Sequence, residues 1–163
     1  MIIAVLTGVN AQTYNFWAGG RTTLWAGDDK GTVIIAPEVG YHLNSQFTVA
    51  ASIGIHSVKY KNGHPSKGYT DVVLNPYLRY TAFKKGMLLG FIDGGVEFGL
   101  GDIEGVEIGF KPGVALALTD RVTIATQFGF IGYNDGKMIG GRGKGFGLDL
   151  SGYRSSIAFF YSF

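Results

Sequence analysis

Eight charged residues stand out because the rest of the chain carries so little charge. Arg21, Arg79, Lys111 and Arg154 are cations; Glu38, Asp93, Glu97 and Glu107 are carboxylates. Each falls inside a stretch that otherwise alternates apolar and small residues. If those stretches close around a common interior, isolated charges there would be costly, and the eight must pair and hydrogen-bond. Two chemistries fit such a set: a structural ionic plug, or a proton or ion path. Other candidates are weaker. "GGRGKGFG" (140–147) has the glycines of a phosphate loop. However, a strand follows where a helix should open, and the Lys-Ser/Thr step is missing, so it reads as a flexible basic loop. His42, His56 and His64 show no metal-ligand spacing, and cysteine is absent. His56 and Ser57 are adjacent, so in a strand they point to opposite faces, which is wrong for a nucleophile and its base. No Gly-x-Ser-x-Gly occurs, and no catalytic residue, metal ligand or cofactor is expected.

The elements that would position these charges are strands. Period-2 alternation recurs along the chain and turn-like clusters interrupt it. The pattern predicts eight strands: 13–25, 32–43, 46–60, 69–83, 87–100, 106–118, 121–134 and 146–163. Tight turns are expected at Asn44-Ser45, Lys84-Lys85-Gly86 and Thr119-Asp120. Longer links fall between them, at 26–31, 61–68, 101–105 and 134–145. Short turns at one end and longer loops at the other is the layout of an up-and-down barrel. Strands 2, 3, 4, 6 and 7 alternate cleanly, with Phe128 and Phe130 on the apolar parity of strand 7. Strands 1, 5 and 8 are noisier. Arg21 shares parity with Trp17 and Trp25, and Asp93 and Glu97 share it with Leu89 and Phe91. Leu148 and Leu150 fall on the parity opposite to Ile157 and Phe159. A β-bulge or a dry upper interior would each account for that. Pro37 and Pro76 on the apolar parity suggest bulges, since proline removes a ladder donor.

Alternation does not say which face points inward; composition does. Of the 163 residues, 27 are glycine, 14% are aromatic and only 16% are charged. A water-facing exterior wants about a quarter to a third charged residues. Here the polar face is mostly Gly, Ala, Ser and Thr, which suits the narrow interior of an eight-stranded barrel. The apolar face is long, continuous and tipped by rings. Tyr41, Phe47, Tyr80, Tyr161 and Phe163 fall near the short-turn end, and Tyr60, Tyr69, Phe98 and Phe130 near the long-loop end. Two such rings match the two interfaces of a bilayer. The expected fold is therefore all-β: an eight-stranded antiparallel up-and-down transmembrane β-barrel over residues 12–163. No window of about 18 apolar residues marks a membrane helix. Residues 1–11 read as the remnant of a signal peptide, with a short apolar run and the small-residue site Val9-Asn10-Ala11. The net charge of +2 is too small to point to nucleic acid.

The chain closes on "RSSIAFFYSF", in which Ile157, Phe159, Tyr161 and Phe163 form an aromatic-rich stripe. With "LNPYLRY" (74–80) and "VGYHLNSQFTVAASIGI" (39–55), it resembles the OmpA/OmpX-like small outer-membrane barrels. That resemblance covers residues 13–163 and identifies a superfamily style better than a function. It implies an outer-membrane location of the Gram-negative type, a monomer, and a C-terminal stripe presented to the barrel-assembly machinery. A basic rim on the longer loops, Lys30, Lys61, Lys67, Lys137, Arg142 and Lys144, would attract lipopolysaccharide head groups or an acidic partner. The expected role is structural or interactive, with a packed polar lumen. A narrow pore, a lipid-A-modifying barrel enzyme and a lipocalin-like carrier are the alternatives.

Overall fold

In a computed structural model of the protein, the described residues are 14–26, 30–60, 68–101, 105–135 and 144–163, without the side chains at 30, 69 and 153. They form ten strand segments and one short 3-10 turn. The segments are β1 (Phe16–Ala26), β2 (Lys30–His42), β3 (Phe47–Tyr60), β4 (Tyr69–Lys85), β5 (Leu88–Gly99), β6 (Val106–Ala117), β7 (Val122–Gln127), β8 (Phe130–Asn134), β9 (Gly145–Asp149) and β10 (Ser156–Ser162). Neighbours pair antiparallel. β5 pairs with both β4 and β6, and β10 pairs with both β1 and β7, so the sheet closes into an eight-stranded barrel.

Ten segments make eight wall strands because the last two staves are each broken once. β7 and β8 both lie against β6, on either side of Phe128-Gly129. Gly129 takes φ +77, a conformation that glycine adopts at little cost. That kink shifts the parity of the stave. Phe128 remains exposed while Phe130 turns inward and is buried at 4% exposure. The expectation that Phe130 joins the outer ring is therefore corrected. In the last stave, β9 and β10 flank the 3-10 turn Gly152–Arg154. The turn resets the alternation, so Leu148, Leu150, Ile157 and Phe159 are all exposed despite their opposite parities.

The prolines do not sit at bulges. Pro37 pairs with Gly20 and Pro76 with Ala51 in unbroken registers. The ladders simply miss bonds beside them, and the one register shift between β4 and β5 falls at Thr81/Phe83. Tight turns form where expected. Asn44 Oδ1 accepts bonds from the backbone N–H of Gln46 and Phe47 at 2.8 Å each, an Asx arrangement that pre-forms the reversal. Gly86, at φ +60, closes the next turn. Thr119 Oγ1 accepts from the N–H groups of Arg121 and Val122.

Large apolar side chains cover the outside. Leu24, Ile35, Val39, Ile53, Ile55, Ile108, Phe110, Ile157 and Phe159 are each more than half exposed. Near the short-turn end, Phe16 packs on Tyr41 with ring centroids 4.8 Å apart, and Phe47 on Tyr80 at 5.3 Å. In the turn beside them, Arg121 donates to the Tyr14 and Tyr161 hydroxyls at 2.9 and 3.1 Å. Those bonds, Tyr161's first, hold its proton more firmly than in an ordinary arginine.

Candidate functional site

The interior has two levels. Nearer the short turns it is aromatic. Trp17, Tyr77, Phe91 and Phe160 cluster with Ala115, Ala125 and Ala158, all buried. Gly40 makes this possible, because a Cβ there would stand 2.3 Å from the Trp17 ring. The expected packed polar lumen is thus corrected at this level, where the packing is aromatic and apolar. It also explains the noisy strands, since Trp17 and Phe91 share the inward parity with Arg21 and Asp93.

From Arg79, which lies among these rings, toward the long loops the interior is ionic. All eight charged residues singled out from the sequence point inward, and they fall into two clusters. In the first, Arg79 clamps Asp93 with two bonds of 2.7 and 2.8 Å. The Gln127 amide donates to the same carboxylate. The Gln127 carbonyl accepts from Arg21, and Arg21 reaches Glu38 at 3.1 Å. The Tyr77 hydroxyl also donates to Glu38, at 2.8 Å. In the second, Lys111 pairs with Glu97 and lies 3.6 Å from Glu107. Arg154 holds Glu107 through a two-bond fork of 2.9 and 2.6 Å and reaches Asp149 at 3.2 Å. Asn75 donates to Glu97 and Asn134 to Glu107.

Burial makes these contacts matter. Glu38 is 3% exposed, Asp93 3% and Glu107 1%. Each carboxylate faces at least one cation, the arrangement that offsets desolvation when geometry is good. The clusters also tie distant staves together: Arg21 of β1 to Gln127 of β7, Tyr77 of β4 to Glu38 of β2, and Glu107 of β6 to Arg154 in the turn before β10. Arg79 gains further from its neighbours, lying 4.0 Å above the Phe91 ring centroid and 5.4 Å from that of Phe160.

Sequence reasoning on charge alone missed the uncharged links. Gln127, Tyr77 and Asn75 share the inward parity with the charges, and that parity was the signal that could have found them; Asn134 faces inward only past the slip at Gly129. Buried Asp71 and Asp149 were also missed. His56 is buried beside the ionic clusters, on a cavity of about 70 Å³ that Arg21 and Ser156 also line. Nδ1 of His56, Nε of Arg21 and Oγ of Ser156 have no protein partner among the described residues. The cavity is polar and roomy enough to hydrate them. Ser57 lies on the other face, bonded to Thr70, so the pair His56-Ser57 does not assemble a nucleophile. Among the described residues no group of three His, Asp or Glu is arranged for a metal.

The C-terminal stripe Ile157, Phe159, Tyr161 and Phe163 lies on the outer face, exposed, while Ala158 and Phe160 face inward. Of the basic rim, Lys144 is exposed. Lys61, Lys67, Lys137, Arg142 and the side chain of Lys30 lie outside the described residues, as do His64, residues 140–143 of the glycine-rich loop and the segment 1–11. Compared with protein-family models and with curated proteins, the chain matches none.

Proposed function

We propose that the protein is an integral β-barrel of a Gram-negative-type outer membrane, with a filled interior and a structural or surface-contact role carried by its longer loops. The observation that supports this most is the inversion of the usual pattern. Charged side chains are inside and paired, while large apolar side chains ring the outside. A contiguous apolar exterior of this extent would drive association in water, and it suits lipid. A lipocalin-like carrier would need the reverse, an apolar cavity behind a charged wall. Cross-lumen ion pairs occupy the interior where a pore reading needs an open path, so the loops are the natural place for contact. On this reading the exposed C-terminal stripe meets the assembly machinery, and the basic loop residues meet lipopolysaccharide.

The test is topological. An epitope tag inserted in the 134–145 connection should be recovered in the outer-membrane fraction of expressing bacteria and should be labelled by antibody on intact cells. Labelling only after permeabilisation, or recovery in the aqueous fraction, would contradict the proposal.

A further inference from the structure

The short-turn end of the barrel opens into a second, larger cavity of about 300 Å³. Its lining mixes two chemistries. The part from β2, β3 and β4 is basic or hydroxylic: His42, Thr48, Arg79, Thr81 and Lys84. Trp17, Leu89, Phe91, Ala115 and Phe160 add apolar surface, interrupted by Thr123 and Ser162, and the Arg79 guanidinium lies over the Phe91 and Phe160 rings. Among the described residues, no Asp or Glu lines it. Asp93 offsets much of the Arg79 charge, yet it binds only Nε and Nη2. Nη1 makes no hydrogen bond among the described residues, leaving two N–H donors on a guanidinium at the cavity wall. Lys84 adds an exposed ammonium.

We propose that this cavity is a binding site for a planar aromatic anion such as an aryl carboxylate. Aromatic walls favour a flat ring by offset or edge contact. Donors beside them, with no carboxylate to repel an anion, favour a negative group there. The size falls at the lower end of small-molecule pockets, which run from roughly 300 Å³. The site depends on the fold of the short-turn end and not on whether the outer face meets lipid, so its failure would leave the membrane reading standing.

Trp17 lies in the cavity and supplies the reporter. In a Trp25→Phe background it is the one remaining tryptophan. The full-length chain, refolded in a non-ionic detergent, is titrated with naphthoate and with the neutral naphthamide, each against protein-free micelles. Saturable quenching of Trp17 by naphthoate is expected, with naphthamide about tenfold weaker, the ratio that a single favourable charge contact of ordinary strength produces. Lys84→Glu, at an exposed rim position, should weaken naphthoate by about fivefold to tenfold and leave naphthamide unchanged. Thr123→Phe, which adds a ring to the cavity lining, should abolish binding of both while the heat-modified gel shift of the folded barrel persists. Equal affinity for the two probes, quenching that follows micelle partitioning, or indifference to both substitutions in a folded barrel would overturn the proposal.

Discussion

Arg79→Ala should destabilise the barrel by ~3–5 kcal/mol, the range for breaking one side of a buried ion pair. The cause is specific. Asp93 is 3% exposed and receives two bonds from Arg79. Without the guanidinium its charge keeps only the Gln127 amide and a more distant Arg21, 3.9 Å away. The substitution also removes the planar cation stacked above Phe91. Reversible urea unfolding in lipid vesicles measures the loss. A second substitution separates charge from packing: adding Asp93→Ala should recover part of the deficit, because no carboxylate is then left buried alone. Coupling of at least ~1 kcal/mol between the two positions is expected for residues in one network. An unchanged unfolding curve for Arg79→Ala would remove the ionic clusters from any account of stability.

Ile53→Lys should be costly for the opposite reason. Ile53 lies in the middle of β3, points outward and is 55% exposed. If that face meets hydrocarbon, a lysine there costs ~2–4 kcal/mol near the bilayer midplane and less toward the interfaces. If it meets water, an exposed substitution should change stability by no more than about 0.5 kcal/mol. Unfolding from phospholipid vesicles distinguishes these outcomes. The same change moved to Phe163, at the short-turn end, should cost less than at Ile53, because a lysine there can reach the headgroups. Equal costs at both positions would count against a bilayer around the belt.

Much of the fold was legible because its periodicity is local. Strands 2, 3 and 6 alternate without interruption, strand 4 does so up to the shift at Thr81/Phe83, and the boundaries of all four in the structure fall within a few residues of those expected. The tight turns carried their own chemistry in Asn44, Gly86 and Thr119. The inward charges were legible too, as mid-strand charges in a chain otherwise short of charge, although Arg21, Asp93 and Glu97 share their parity with large apolar residues. What was not legible depended on single residues that reset a stave. Gly129 turns Phe130 inward, and the turn Gly152–Arg154 brings Leu150 and Ile157 to the same surface. A two-residue alternation cannot anticipate a one-residue slip, which moves every later side chain to the other face. The interior aromatic cluster was obscured for a different reason. Trp17 and Phe91 look like outer-face residues by hydrophobicity, and only the space left by Gly40 beside Trp17 and by Gly113 beside Phe91 lets them pack inward. The pairing of charges was not legible at all. Arg21 meets Gln127 only because the barrel closes, a contact between residues more than a hundred positions apart.

On the proposed reading, the apolar outer face of the closed barrel needs an apolar surrounding. The most direct measurement is electrophoretic: the chain is refolded in detergent, its β-type circular dichroism is recorded, and it is run with and without boiling. A faster-migrating unboiled band that converts on heating to the full-length position, with loss of the folded state when detergent is withdrawn, is the predicted result. A protein that stays folded and monomeric in water without detergent would contradict the account.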